Sequence, residues 1–193
     1  MPDLNPTNFQ TTLDAMEHRV LKLETDLNDI RNNLPDDQLS MVVFSGDLDR
    51  LLAAFIIATG AAAMYERVVM FLTFWGIPAM RDAGKHVKKA DLMAGMFAKM
   101  LPNGPGHLKL SHMNMAGMGT RMMKGLMQKK GVLSLEELMK TAGEFGVEIV
   151  ICEMTMDLMG FKIEEMIDYP HVTVAGVAKF LQEAGSSKVT LFI

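Results

Sequence analysis

The segment VEIVICEMTMDLMG, residues 147–160, decides how the chain is read. A β-branched apolar run leads up to Cys152, and a segment able to start a helix leads away from it. A buried strand feeding a helix is the repeating unit of an α/β sheet. In open sheets of this kind, ligands and chemistry collect at the carboxyl ends of the strands. Cys152 stands at such an end and is the one cysteine in 193 residues. A single thiol forms no internal disulfide, so whatever it reacts with comes from outside the chain.

The same alternation extends to both sides. SMVVFS (40–45) reads as a buried strand. SGDLD follows as a turn, with Gly46 at the bend and Ser45 or Asp47 able to cap a helix from about Leu48 to Met64. RVVMFLTF (67–74) is a second buried strand, WGIPAM its exit loop, and Lys89 to Met100 a short helix. LPNGPGHLKLSHMNMAGMG (101–119) is punctuated by Gly and Pro, which predicts an irregular insertion or lid. Thr120 to Lys130 is Met-rich and basic. Ser134 and Glu137 spell a capping box for a helix ending near Gly146. Beyond Cys152, MTMDLMG and IEEMI suggest two short helices. HVTVAGVAKFLQEAG gives a strand end and a helix closing at Gly185, and SKVTLFI a last strand. Strands alternating with helices imply a doubly wound, mostly parallel sheet.

Ahead of this domain lies a different pattern. Phe9, Leu13, Met16, Val20, Leu23, Leu27, Ile30 and Leu34 alternate spacings of four and three. With Leu13 at a, the a positions are Leu13, Val20, Leu27 and Leu34, and the d positions Phe9, Met16, Leu23 and Ile30. A stripe confined to a and d argues a coiled coil more than a helix packed on its own chain. In a parallel pair the flanking positions juxtapose Arg19 with Glu24 and Asp26 with Arg31, both attractive. The mixed a and d residues leave dimer, trimer and tetramer open. Pro35-Asp36-Asp37 ends the helix, so the chain divides into residues 1–36 (coiled-coil helix and linker) and 37–193 (α/β domain).

Composition narrows the function classes. Hydrophobic residues make up 49% of the chain, enough for a large core. A net charge of −4 gives no reason to expect nucleic acid. One cysteine argues against a disulfide-stapled secreted protein. MPDLNPTNFQ has neither the basic nor the apolar region of a signal peptide, so a cytoplasmic location is expected. The uncharged run LLAAFIIATGAAAMY covers 15 residues, short of the roughly 20 that a membrane helix needs, and no span is expected. Methionine, at 20 residues, is unusually frequent, which suits a flexible apolar filler in place of Leu.

Four segments, FLTFWGIPAMR (71–81), LSHMNMAGMGTRMMKGLM (110–127), SLEELMKTAGEFGVEIVICEMTMDLMG (134–160) and VAGVAKFL (174–181), closely resemble the DsrE/DsrF/DsrH-like family, in particular its longer, Met-rich branch. The resemblance covers residues 40–193. It implies a five-stranded α/β sheet that assembles into homo- or hetero-oligomers and serves sulfur trafficking. It also implies that Cys152 accepts sulfane sulfur as a persulfide and passes it to a sulfur-carrier protein or a rhodanese-like partner, which makes the chain a candidate sulfurtransferase.

The residues themselves give mixed signals about this chemistry. Backbone N–H groups at the helix start favour the thiolate, and the adjacent Glu153 opposes it. Met154, Met156 and Met159 would shield a persulfide. Trp75, Gly76, Met154 and Gly46 are the candidate pocket around the sulfur. Trp75 could equally be core packing, and Asp47 beside Gly46 works against a phosphate. Met113, Met115, Met118, Met122 and Met123 with His107 and His112 are soft donors that would suit Cu(I), or they form an apolar packing surface. No metal and no cofactor are expected. Without a second cysteine to resolve a sulfenic acid, a two-cysteine peroxidase is not expected either. The alternative to sulfur transfer is an oligomeric binding or scaffold protein in which Cys152 is structural.

Overall fold

Five short apolar runs set the frame: β1 (Asp36–Val43), β2 (Arg67–Leu72), β3 (Glu148–Cys152), β4 (Val172–Ala175) and β5 (Ser187–Phe192). In the computed structural model, which describes residues 6–85, 87 and 92–193, they form one sheet in the order β4-β3-β2-β1-β5. Every neighbouring pair is parallel. β2 shows why such strands read as unbroken hydrophobic runs: Val68 to Leu72 are all buried, because helices cover both faces of the sheet. The expected five-stranded α/β architecture is what the chain adopts.

The helices are α1 (Pro6–Asn33), α2 (Leu48–Ala61), α3 (Leu92–Met100), α4 (Met118–Lys130), α5 (Leu135–Glu144), α6 (Glu153–Met159) and α7 (Val177–Ser186). α1 belongs to one compact unit, Met1–Pro35, and the α/β elements to another, Asp36–Ile193. Within the second unit α2 packs against α5. The chain steps from β1 to β4 across the sheet and then crosses back through α7 to lay β5 beside β1. A right-handed return crossover puts α7 on the face opposite α2 and α5. There the Phe180 ring meets Phe71 of β2 at 5.2 Å between centroids.

A charged cluster at the amino ends of the strands fastens α7 to the sheet. Arg67 opens β2 and donates to Glu148 of β3 (Nε to Oε1 2.8 Å, Nη2 to Oε2 2.6 Å), to Gln38 of β1 (2.8 Å) and to Glu183 of α7. Gln38 also donates to Ser40 at 2.9 Å and to Ser187 at 3.0 Å. Burial pushes the Glu183 carboxyl up. The bonds from Arg67, Lys179 and Gln38 outweigh that and hold it down to about 2.

Several local expectations change. β1 begins at Asp36, four residues early, because the Glu66 N–H donates to the Asp37 carbonyl and Lys188 of β5 pairs with its carboxylate at 2.6 Å. Asp36 and Asp37, read as linker, are therefore strand. WGIPAM is not a plain loop: Phe74–Met80 wind into 3-10 turns, and the short helix expected at IEEMI is a single 3-10 turn, Ile163–Glu165. α2 ends at Ala61, three residues before Met64. Neither Ser45 nor Asp47 caps it through a side chain: Ser45 Oγ bonds Asp47 instead, at 3.1 Å to its carboxylate. α3 starts at Leu92, and the start expected at Lys89 falls outside the described residues. Residues 101–119 hold only the short turns Pro105–His107 and Met115–Gly117 before α4 begins at Met118. The capping box is present, with Ser134 and Glu137 bonding reciprocally. Among the described residues, no helix is long and apolar enough to cross a membrane.

Candidate functional site

The carboxyl edge of the sheet is built by strand register. Leu72 pairs with Ile151 and Cys152 with Ala175. One step further along the same register sets Thr73 beside Cys152. Neighbours in register on parallel strands share a face, so the Thr73 side chain lies on the side of the sheet that carries the thiol. β3 delivers Cys152 because its alternation buries Ile149 and Ile151 on one face and Val150 and Cys152 on the other. α6 starts immediately afterwards, so Cys152 occupies its N-cap position, with an extended backbone (φ −66°, ψ 111°). Thr155 is three residues on and completely buried.

These two threonines define the surroundings of the sulfur. Their hydroxyls are 3.1 Å apart, and the Phe74 N–H donates to Thr155 Oγ1 at 3.4 Å. Cys152 is only 3% exposed. Burial is the largest influence on its thiol and pushes the pKa up. The hydroxyl and N–H of Thr155, the hydroxyl of Thr73 and the N–H of Met154 more than offset it and leave the thiol below its ordinary value. None of these donors closes a full side-chain cap on α6. They act as a ring of dipoles around a buried sulfur.

The chain turns sharply next to this ring. Phe74 has φ +46°, a left-handed backbone that costs an L-residue about 1 kcal/mol or more. The turn carries Thr73 inward and lays the Phe74 ring against Phe44, 5.4 Å between centroids. Phe44 in turn stacks on Phe192 at 6.2 Å. The row is open to solvent at its far end, where Phe192 is 72% exposed.

The residues singled out from sequence fall into two groups. Met154 is beside the thiol and exposed, whereas Met156 and Met159 are buried in the core. Gly46 and Trp75 come together with Ser45, Asp47, Pro78, Leu101 and Pro102 around a cavity of about 250 Å³, whose lining does not include Cys152. Contact there is backbone to backbone. A Cβ added at Gly46 would stand 2.3 Å from the Trp75 carbonyl oxygen, and one at Gly76 would stand 2.6 Å from that of Val43. Met113, Met115, Met118 and Met122 are exposed. The ring of His107 bonds the Asn103 carbonyl, and that of His112 the Ser111 hydroxyl. Among the described residues, no three or more His, Cys, Asp or Glu side chains gather as a metal site.

Sequence reasoning missed Thr73, Thr155 and Phe74. A threonine at the third helical position after a thiol N-cap was the available signal for Thr155. Thr73 becomes visible only once the strand register is known.

Comparison with known proteins gives a consistent pattern. The model of the DsrE/DsrF/DrsH-like family matches residues 35–192. The uncharacterized protein YrkE of Bacillus subtilis (strain 168) is 46% identical over 154 residues, covering 80% of this chain and 95% of YrkE. The sulfur carrier protein DsrE2 of Allochromatium vinosum is 36% identical over 163 residues, covering 81% of this chain and 98% of DsrE2. The crystal structure of the ychN protein from E. coli matches with a TM-score of 0.47 at 10% identity, over 81% of this chain and 98% of that one. Residues 1–34 precede the family match.

Proposed function

Because the chain belongs to the DsrE/DsrF/DrsH-like family, we propose that it carries sulfane sulfur on Cys152 as a persulfide and passes it to the thiol of a partner protein. The family supports a sulfur-related role, and the relative named as a sulfur carrier points to carriage in particular. The observation that carries the assignment to Cys152 is the ring of Thr73, Thr155 and Met154 donors that favours its thiolate despite burial.

The proposed chemistry is two exchanges with no net oxidation. The Cys152 thiolate attacks the outer sulfur of a donor persulfide. A new S–S bond forms to Cys152, the old one breaks, and the donor leaves as a thiolate with the bonding electron pair. The acceptor's thiolate then attacks the outer sulfur on Cys152 and releases the Cys152 thiolate. The Thr73 and Thr155 hydroxyls stabilise the anion at the beginning and the end of this cycle. The aromatic row of Phe44, Phe74 and Phe192 offers an apolar approach for a partner of the sulfur-carrier or rhodanese-like kind. The setting is the reducing cytoplasm, where such thiols stay free.

A second reading has its own observation: at 3% exposure, Cys152 could be a packed structural thiol in an oligomeric binding protein. Intact mass after incubation with polysulfide separates the two. Sulfur transfer gives a gain of about one or two sulfur atoms, on the stoichiometry of the exchange, that is absent in Cys152→Ser. No adduct, together with a thiol inert to alkylation in the folded protein, leaves only the second reading.

A further inference from the structure

α1 is a 28-residue helix in a unit of its own. A single helix has no core, and its stability in water comes from an apolar face covered by something else. The row Phe9, Leu13, Met16, Val20, Leu23, Leu27, Ile30 is uncovered along its whole length: Met16 is 62% exposed, Leu27 64% and Ile30 59%. The row is confined to the a and d positions of a heptad, and no polar residue interrupts it. One further leucine, Leu21, is exposed off the row. Leu34, the last a position, lies just past the helix end at Asn33. This region precedes the part of the chain that the family model matches.

We infer that α1 is a self-association element: a second copy of this chain covers the row, and the helices run parallel as a coiled coil. The charges beside the seam select both the partner and the direction. Register in a parallel pair sets each g residue against the e residue five positions on in the other helix. Arg19 then faces Glu24, and Asp26 faces Arg31, in both symmetry-related copies. An unrelated partner helix would need the same alternation of signs, which the chain itself already supplies. Each α/β unit follows the carboxyl end of α1, so a parallel arrangement brings two such units to one end and raises the effective concentration of each for the other's partners. This inference does not depend on the chemistry assigned to Cys152.

The test uses the full chain. In a Cys152→Ser background, Ile30→Cys places one thiol at a d position, where a parallel pair sets it opposite its own copy. Mild oxidation is expected to convert most of the protein to a disulfide-linked pair, whereas His18→Cys, on the outer face of the helix, links little. In an antiparallel pair residue 30 lies far from its copy, so a failure of Ile30→Cys to link overturns the parallel arrangement. Val20→Lys with Leu27→Lys is expected to lower the particle mass measured by light scattering at least twofold. An unchanged mass overturns self-association through α1. Arg19→Glu is expected to raise the dissociation constant by on the order of tenfold, and adding Glu24→Arg to restore it. If the double swap gives no recovery, the proposed charge register is wrong.

Discussion

The two ends of the sheet solve opposite problems. At the amino ends, Arg67, Glu148, Glu183 and Gln38 close a charged network around the last turns of α7, and a buried carboxylate is held fully ionised. At the carboxyl ends, hydroxyls and N–H groups face the Cys152 sulfur, beside a left-handed Phe74 and a partly exposed aromatic row. Charge fixes one end, where nothing has to change. On the sulfur-carrier reading proposed above, neutral donors serve the Cys152 end, where the thiol gains and loses negative character over the cycle. On that reading, stability and reactivity are separated along the strand direction in this domain.

Three changes test that separation, taken from the largest effect. Arg67→Ala leaves Glu183 buried without its main partner and should cost about 3 kcal/mol, read from urea unfolding. The alkylation pH profile of Cys152 in the folded protein should not move. A shift there would show that the two ends are coupled. Acid comes next. Glu183 is depressed from 4.5 to about 2 on folding, so the stability it gives is complete above its unfolded pKa and is lost as pH falls from about 4.5 towards 2. The loss should be about 2–3 kcal/mol and should disappear from the pH–stability curve of Glu183→Gln. The smallest change in stability belongs to the other end. Thr155→Val should cost about 1 kcal/mol yet raise the thiol pKa and slow alkylation at neutral pH. Unchanged reactivity would remove Thr155 from the site.

Legibility in the sequence followed the range of the interactions. The Ser134 capping box was readable because both of its bonds lie within four residues. β2 and β3 were readable because strands covered on both faces must be apolar throughout. The start of β1 was not, since Asp36 and Asp37 look like linker until Lys188 and Glu66 arrive from elsewhere in the chain to bond Asp37. The thiol itself was legible as a lone cysteine at a strand end, but its burial was not. Nor was Thr73, whose place beside Cys152 is set by strand register. Gly46 and Trp75 were read as part of a pocket around the sulfur; they meet by close backbone contact, around a cavity whose lining does not include Cys152.

That backbone contact has an optical consequence. Trp75 is the single tryptophan of the chain, 45% exposed, with its carbonyl oxygen against the Gly46 turn and its amide two residues from Thr73. Its intrinsic fluorescence therefore comes from one emitter, seated on the exit of β2 and sensitive to the water around it. Excitation at the indole band gives a label-free signal for events along the carboxyl edge, uncontaminated by any indole in α1 or at the charged end of the sheet.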